Sequence, residues 1–326
     1  MSKGIEAFKC SNCDAPLAVS PDDAVITCNF CGNTVTIEGQ KISKHFVLTP
    51  TIGSGEVQDK VRKWVGRGGG ARVTEAQLRF VPYWVESMNA ATRFQGYKRH
   101  EDTEYYTDSS GRRRSKTVVT YEPIDGRLNE DRSLNILGRR GAMFYSFDEM
   151  DKALKVTKRD ITPFKFSTIT RVEKRPVFLN SELSDEDAFE IAQTMVSEEH
   201  RSRAESGATK IWDCKTNIRK LGAYLLHVPH WMVRYQFGSE TYRVGIDGHT
   251  KRVLKGEVPI STGFRAGMFL LSIIGLVVGS VGAQFIYWML VGSGLEALAF
   301  VLIIVGLLIA CIGTQQSFKI SSEKRE

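Results

Sequence analysis

Residues 266–316 read AGMFLLSIIGLVVGSVGAQFIYWMLVGSGLEALAFVLIIVGLLIACIGTQQ, and Glu296 is the one acidic or basic side chain among them. Two apolar runs meet at Gly292-Ser293-Gly294. The first, Met268 to Val291, spans about 24 residues, or ~36 Å as a helix; the second, Ala297 to Gly313, spans about 17 residues, or ~25 Å. Helices of a soluble core normally carry a polar stripe, and neither run has one. The stretch therefore reads as a transmembrane helical hairpin at 263–316, followed by a basic cytosolic tail at 317–326. Lys251, Arg252, Lys255 and Arg265 precede it and Lys319, Lys324 and Arg325 follow it, so the positive-inside bias places both ends in the cytoplasm. The start, MSKGIEAFKC, carries charges and lacks the apolar core of an export signal, consistent with a cytosolic body.

Within the hairpin, Gly275, Gly279 and Ala283 recur every four residues on the first helix, as do Gly306 and Ala310 on the second. Small residues at that spacing let helix backbones approach. Packing of the two helices on each other is the simpler reading, a homo-oligomer face the other. No charge lies at depth, which argues against a transporter or proton relay.

Outside the hairpin and tail about 265 residues remain, enough for one or two cores and a small module. With 25% charged and 10% aromatic residues the chain reads as folded. The net charge of +7 points to an anionic neighbour, and an anionic membrane leaflet already accounts for it.

Four of the six cysteines fall in FKCSNCDAPLAVSPDDAVITCNFCGNTVTI, residues 8–37. Cys10, Cys13, Cys28 and Cys31 form two C-x-x-C knuckles, each able to present two thiolates to a tetrahedral metal. So short a segment cannot bury enough apolar surface to fold alone, and metal binding would supply the difference. Zinc is expected, an iron site and disulfides being the alternatives. With all four positions taken by protein ligands, the zinc would be structural.

Along the chain, SGEVQDKVRKWVG reads as a helix capped by Ser54 with Val57, Val61, Trp64 and Val65 on one face, ending at the glycines 66–70. ARVTEAQLRFVPYWVESMNAATRFQGYKR alternates and reads as a pair of strands with Pro82 at an edge or bend. EYYTDSSGRRRSKTVVTYEP reads as two strands around a turn at Asp108–Gly111. Arg112, Arg113, Arg114 and Lys116 cluster at its tip, as an anion or phosphate contact or as a solvated hairpin end. Residues 127–183 show only short apolar pieces. SELSDEDAFEIAQTMVSEEHRSRAESG is the clearest soluble helix, with Ser184 and Asp187 as a capping box and Gly207 as its stop. Residues 215–261 read as four strands with turns at Gly222, Gly238-Ser239 and Asp247-Gly248.

The element V-P-x-W occurs twice, at Val81–Trp84 and Val228–Trp231, each time in strands that follow a helix. The expected class is α+β: a zinc ribbon at 1–40, two related helix-plus-strands units at 45–130 and 131–262, and the hairpin.

The ribbon resembles TFIIB-type zinc ribbons: Gly32 follows the second knuckle as in that family, while Asp14 stands where the first often has glycine. With FVPYW, HVPHWMVRYQFG, YRVGIDGHTKRVLKGEVP and the terminal hairpin, most of the chain resembles bacterial and archaeal membrane proteins of that zinc-ribbon type. Some of these sit in modules with phage-shock protein A-like and SPFH-like partners, which implies recruitment of membrane-stress proteins. A helicase label used for some of them finds no support, since no G-x-x-x-x-G-K-[ST] loop occurs.

No nucleophile with a base, carboxylate pair or open metal site stands at recognisable spacing, so no enzyme is expected. His227 and His230 flank Pro229 as strand packing rather than a ligand pair. The expected function is a membrane-anchored adaptor or scaffold that brings protein partners to the bilayer, with a membrane-tethered nucleic-acid binder as the alternative.

Overall fold

The computed structural model describes residues 8–66, 70–140, 145–154, 161–289, 296–318 and 321–324. The Gly292–Gly294 junction, Lys319, Arg325 and most of the glycine run after Gly66 lie outside them. Strands β1 (Val25–Thr27) and β2 (Thr34–Thr36) form a small N-terminal sheet. There follow β3 (His45–Leu48), α1 (Ser54–Val65), β4 (Arg72–Thr107), β5 (Arg113–Leu137), α2 (Phe147–Ala153), β6 (Ile161–Pro163), α3 (Phe166–Val172) and β7 (Val177–Phe178). The chain continues through α4 (Asp185–Ser206), β8 (Lys210–Phe237), β9 (Glu240–Asp247), β10 (Val253–Pro259), α5 (Thr262–Met289), α6 (Glu296–Ser317) and β11 (Ser321–Lys324). The last nine strands share one sheet, so the class is α+β with two apolar helices at its C-terminal end.

The pair of strands expected around Pro82 is a single strand of 36 residues, β4, which at ~3.3 Å per residue is ~120 Å of chain. It stays paired because β8 runs antiparallel to it from Arg72↔Gln236 to Tyr97↔Lys210, with register shifts that absorb twist. Pro82 is tolerated at mid-strand because it falls where the neighbour on β4's other edge changes, from β7 at Arg79–Phe80 to β5 from Tyr83 onward. Gly222 likewise makes no turn: β8 passes through it, and a register shift at Ser87/Met88 leaves Leu221 as an extra residue. The four strands expected at 215–261 are therefore three.

The two V-P-x-W elements face each other at the sheet centre, with Val81 opposite Val228. Their contacts match pairwise. Trp84 Nε1–H donates to the Leu183 carbonyl just before α4, and Trp231 Nε1–H donates to the Ile52 carbonyl just before α1. The Pro82 carbonyl accepts from Gly138 N–H and the Pro229 carbonyl from Gly248 N–H. β7 runs parallel to β4, and β3 parallel to β8. The run β3-α1-β4-β5 thus relates to β7-α4-β8-β9 by a local twofold at Val81↔Val228, each supplying its first strand to the other's long strand.

Helix α1 begins after Gly53, whose extended backbone caps without a side chain, so Ser54 is its first residue and not its cap; Gly66 ends it in the left-handed conformation. Its stripe of Val57, Val61 and Val65 packs with Leu78, Phe80, Trp231 and Val233. Each fully buried valine contributes about 1.5–3 kcal/mol. Helix α4 carries the expected capping box, Ser184 accepting from Asp187 N–H and Asp187 from Ser184 N–H. Its buried residues Ala188, Ala192, Val196, His200 and Ala204 keep four-residue spacing, and the alanines let it lie close on Trp84, Met88 and Ala90. On the opposite face α2 packs Phe147 and Met150 against Val81, Tyr83 and Val85.

β10 runs in the direction of β8, so α5 leaves the sheet at the end where β4 begins. After α6 the chain returns as β11 along β10, from Gly256↔Lys324 to Pro259↔Ser321. Within the expected basic tail, Ser321–Lys324 is thus a strand, and both ends of the helical hairpin are tied to one sheet edge. The β4–β5 hairpin points the other way, its tip up to ~110 Å along the strand from the start of α5.

Candidate metal centre

The N-terminal segment folds as two matched turns. Asp14 N–H bonds the Cys10 carbonyl and Gly32 N–H the Cys28 carbonyl, while Asn12 N–H and Phe30 N–H point at Cys10 Sγ and Cys28 Sγ, both at 3.4 Å. Each turn closes on a left-handed residue, Gly32 at φ 75° and Asp14 at φ 55°. Aspartate enters that region more readily than most residues, which explains how it replaces glycine there.

The ligand atoms of Cys10, Cys13, Cys28 and Cys31 lie within 4.8 Å of one another, and all four thiols are free of disulfides. Cys10 Sγ is 3.6 Å from Cys31 and Cys13 Sγ 3.7 Å from Cys28, beyond bonding distance and close enough to surround one ion. Without a cation the thiolate at Cys10 is favoured at the expense of the one at Cys13. Burial disfavours the Cys10 thiolate, but the N–H groups of Asn12 and Cys13 and the neighbouring thiols bring it to about 7. At Cys13 the Ala15 N–H favours the thiolate, yet desolvation and the other three sulfurs push it up to about 12. Four clustered soft donors with mutually repelling charges can hold a metal ion, which would neutralise them together.

The ribbon is not a free tip. Ala24 and Val25 N–H bond the Ser181 carbonyl, Ser181 N–H bonds Val25, and Asn29 Oδ1 accepts from Phe178 N–H. Gly32 lies on the Phe164 and Phe166 rings so closely that a Cβ would collide with both. Phe30, 63% exposed, and Phe8 are its outward aromatic residues.

The structure disperses the other expected site residues. At the hairpin tip Arg114 is paired with Asp108 at 2.7 Å, Lys116 with Glu104 at 3.0 Å, and the Arg113 guanidinium lies 4.7 Å from the Tyr105 ring centre, leaving Arg112 without a side-chain partner among the described residues. In the helical pair, Gly275, Gly279, Gly306 and Ala310 form the contact, with no room for a Cβ at Gly275 or Gly306. Ala283 faces outward and Gly282 is buried instead, because the seam runs Ser272, Gly275, Gly279, Gly282 at alternating three- and four-residue steps. Gly313 against Met268 and Ser272, and the Ser272–Thr314 hydrogen bond at 2.6 Å, complete it.

Sequence reasoning missed three buried polar groups. His200 Nε2–H donates to Glu130 at 2.9 Å while its Nδ1 accepts from Thr92 at 2.7 Å, a Thr-His-Glu relay. Thr92 and His200 are buried between α4 and the sheet, so the hydrogen bonds anchor that helix. The His200 hydrogen bond, with Arg132 and Arg203, holds Glu130 down at about 2. Glu86 is fully buried, with Lys220 Nζ at 3.4 Å, and Lys220 is in turn 2.6 Å from Asp185. Its place in phase with Trp84, Met88 and Ala90 was the available signal. His45 Nε2 and His227 Nδ1 share a hydrogen bond of 2.7 Å under Phe164, and burial lowers both pKa values, His45 to about 3.

The outer face of the three long strands carries two transverse rows. Trp212, 57% exposed, stacks on Tyr97, which meets Tyr121, 62% exposed, edge-on. Four residues inward, Arg93 stands opposite both Arg127 and Lys215. No family model, curated protein or solved structure matches this chain.

Proposed function

We propose that this chain is a membrane-anchored adaptor, not an enzyme: the α5–α6 hairpin crosses the cytoplasmic membrane, the sheet and ribbon stand in the cytosol, and protein partners dock on them. The observation that carries this reading is the pairing of β11 with β10, which returns the chain after two apolar helices to the sheet edge it left. Both helices are long and apolar enough to cross a bilayer, and their outward side chains, such as Leu270 and Leu307, are 60% and 58% exposed, as lipid-facing residues would be. Zinc in the four-cysteine site then holds the ribbon as a structural element. The exposed Trp212, Tyr121 and Tyr97 with Arg93 supply the side-chain types that dominate protein-binding hot spots. By the sequence resemblance, phage-shock protein A-like or SPFH-like proteins are the partners to seek.

A membrane-tethered nucleic-acid binder is the competing reading, favoured by the cation row Arg127–Arg93–Lys215. One experiment separates them: affinity capture of the full chain from nuclease-treated membranes, comparing wild type, Trp212→Ala/Tyr121→Ala and Arg93→Gln/Arg127→Gln. The adaptor reading expects defined protein partners whose recovery falls at least tenfold in the aromatic variant. Salt-sensitive binding of an oligonucleotide, lost in the arginine variant with no protein partner recovered, would refute it. A cysteine placed at Ser293 should react with an impermeant reagent on intact cells, and protection there would reverse the orientation.

A further inference from the structure

β8 begins at Lys210, opposite Tyr97, so from Lys98↔Glu122 to Thr107↔Arg113 the β4–β5 hairpin continues as two strands alone. A two-stranded ribbon is marginal in water. Its outer edge is unusual as well: β5 pairs with β4 and with no other strand among the described residues. Natural sheets guard such edges with charges and prolines. In the arm, β4's own edge is guarded by KRHEDTE, whereas β5 leaves Thr117-Val118-Val119-Thr120-Tyr121 bare between Lys116 and Glu122.

The bare segment also has its backbone groups in position. The bond from Asp108 N–H to the Arg112 carbonyl closes the hairpin and sets the phase of the ladder, in which odd-numbered residues of β5 direct N–H and C=O outward. Pro123, which has no N–H to offer, stands in that outward phase opposite Tyr97, as the ladder with β4 requires.

We infer that the arm pairs with the arm of a second copy of this chain, β5 to β5, antiparallel about a twofold at Val119. In that register Val119 exchanges both backbone bonds with its own copy, and Thr117 does so with Tyr121. Lys116 falls opposite Glu122 and Arg113 opposite Asp125, with no like charges opposed. The charge pattern extends over four strands, because Glu104 already faces Lys116 and Lys98 faces Glu122 within each chain, giving alternating sign along one row. β4's edge, with Glu101, Asp102 and Glu104 together, offers no such self-match. Antiparallel pairing sets the two helical hairpins at opposite ends of a shared bar. The inference rests on the backbone edge of β5 and does not need the adaptor reading, although Tyr121 belongs to both surfaces.

The test uses the full chain in detergent, with Cys214 and Cys311 changed to Ser and the ribbon metal-loaded. Val119→Cys should form a disulfide dimer on mild oxidation, because an antiparallel hydrogen-bonded pair sets Cα atoms ~5.5 Å apart, within disulfide range. Thr103→Cys, on β4 opposite Thr117, should not. Lys116→Glu alone should raise the dimer Kd about tenfold or more, and Lys116→Glu/Glu122→Lys should restore it. Thr103, Lys116 and Glu122 are exposed and Val119 is half-buried on the two-stranded arm, so none of these changes touches a core cluster. A monomer at every concentration, crosslinking at 103 and not at 119, or a dimer indifferent to both charge changes would each overturn the inference. Failure to capture protein partners while the dimer persists would refute the adaptor reading and leave this one standing.

Discussion

Glu86→Gln gives the most quantitative test of the sheet interior. Glu86 projects from β4 beneath the start of α4, fully buried, and its nearby cation Lys220 at 3.4 Å is shared with Asp185. Desolvation outweighs the attraction of Lys220, and Asp185 adds repulsion, so the carboxyl is pushed up from 4.5 to about 7. At about 1.36 kcal/mol per pH unit of displacement this stands for about 3 kcal/mol. The folded state binds the Glu86 proton more tightly than the unfolded state. The contribution is therefore full below about pH 4.5 and is lost as pH rises through about 7. Glutamine keeps the shape and removes the titration. Relative to wild type, the variant should gain up to about 3 kcal/mol of stability between about pH 5 and pH 8.5. Hydrogen exchange of α4 and β4 amides in the detergent-solubilised chain, corrected for intrinsic rates, reads this directly. An unchanged difference across that range, or a variant that loses ground as pH rises, would show that Lys220 keeps Glu86 charged and that the desolvation argument is wrong.

Gly306→Leu should force α5 and α6 apart, because any Cβ there meets the backbone of Gly275 and Gly279, with a loss of about 1–3 kcal/mol in the thermal stability of the hairpin, while Ala283→Leu should be silent. Arg93→Gln removes a cation opposed by Arg127 and Lys215 and should stabilise the long strands by about 0.2–1 kcal/mol, seen as a raised melting temperature; a lowered one would mean that the row is internally compensated. Metal removal, or Cys28→Ser, should increase exchange in the ribbon and also at Phe178 and Ser181, whose N–H groups bond Asn29 and Val25, and protection that persists at those two amides would make the ribbon energetically separate.

What the sequence determined by itself was local. The two apolar runs, the C-x-x-C spacing, the Ser184 capping box, the glycine stops and the Asp108–Gly111 turn each depend on residues a few positions apart, and each has its structural counterpart. The four-residue spacing of small residues found the helical contact but misplaced one member, since Ala283 lies off a seam whose true period is set by the partner helix. Tertiary structure decided the rest. Pro82 and Gly222 normally punctuate strands, yet β4 and β8 run through both because each lies paired to the other. No local signal reveals that a proline's missing N–H will fall at a gap between neighbouring strands. The same holds for Glu86, Lys220 and Asp185, and for Thr92, His200 and Glu130: residues far apart in sequence become coupled groups only because a 36-residue strand and a helix much later in the chain enclose them. The meeting of the two V-P-x-W elements across the sheet is likewise a property of the register, which long-range pairing alone fixes.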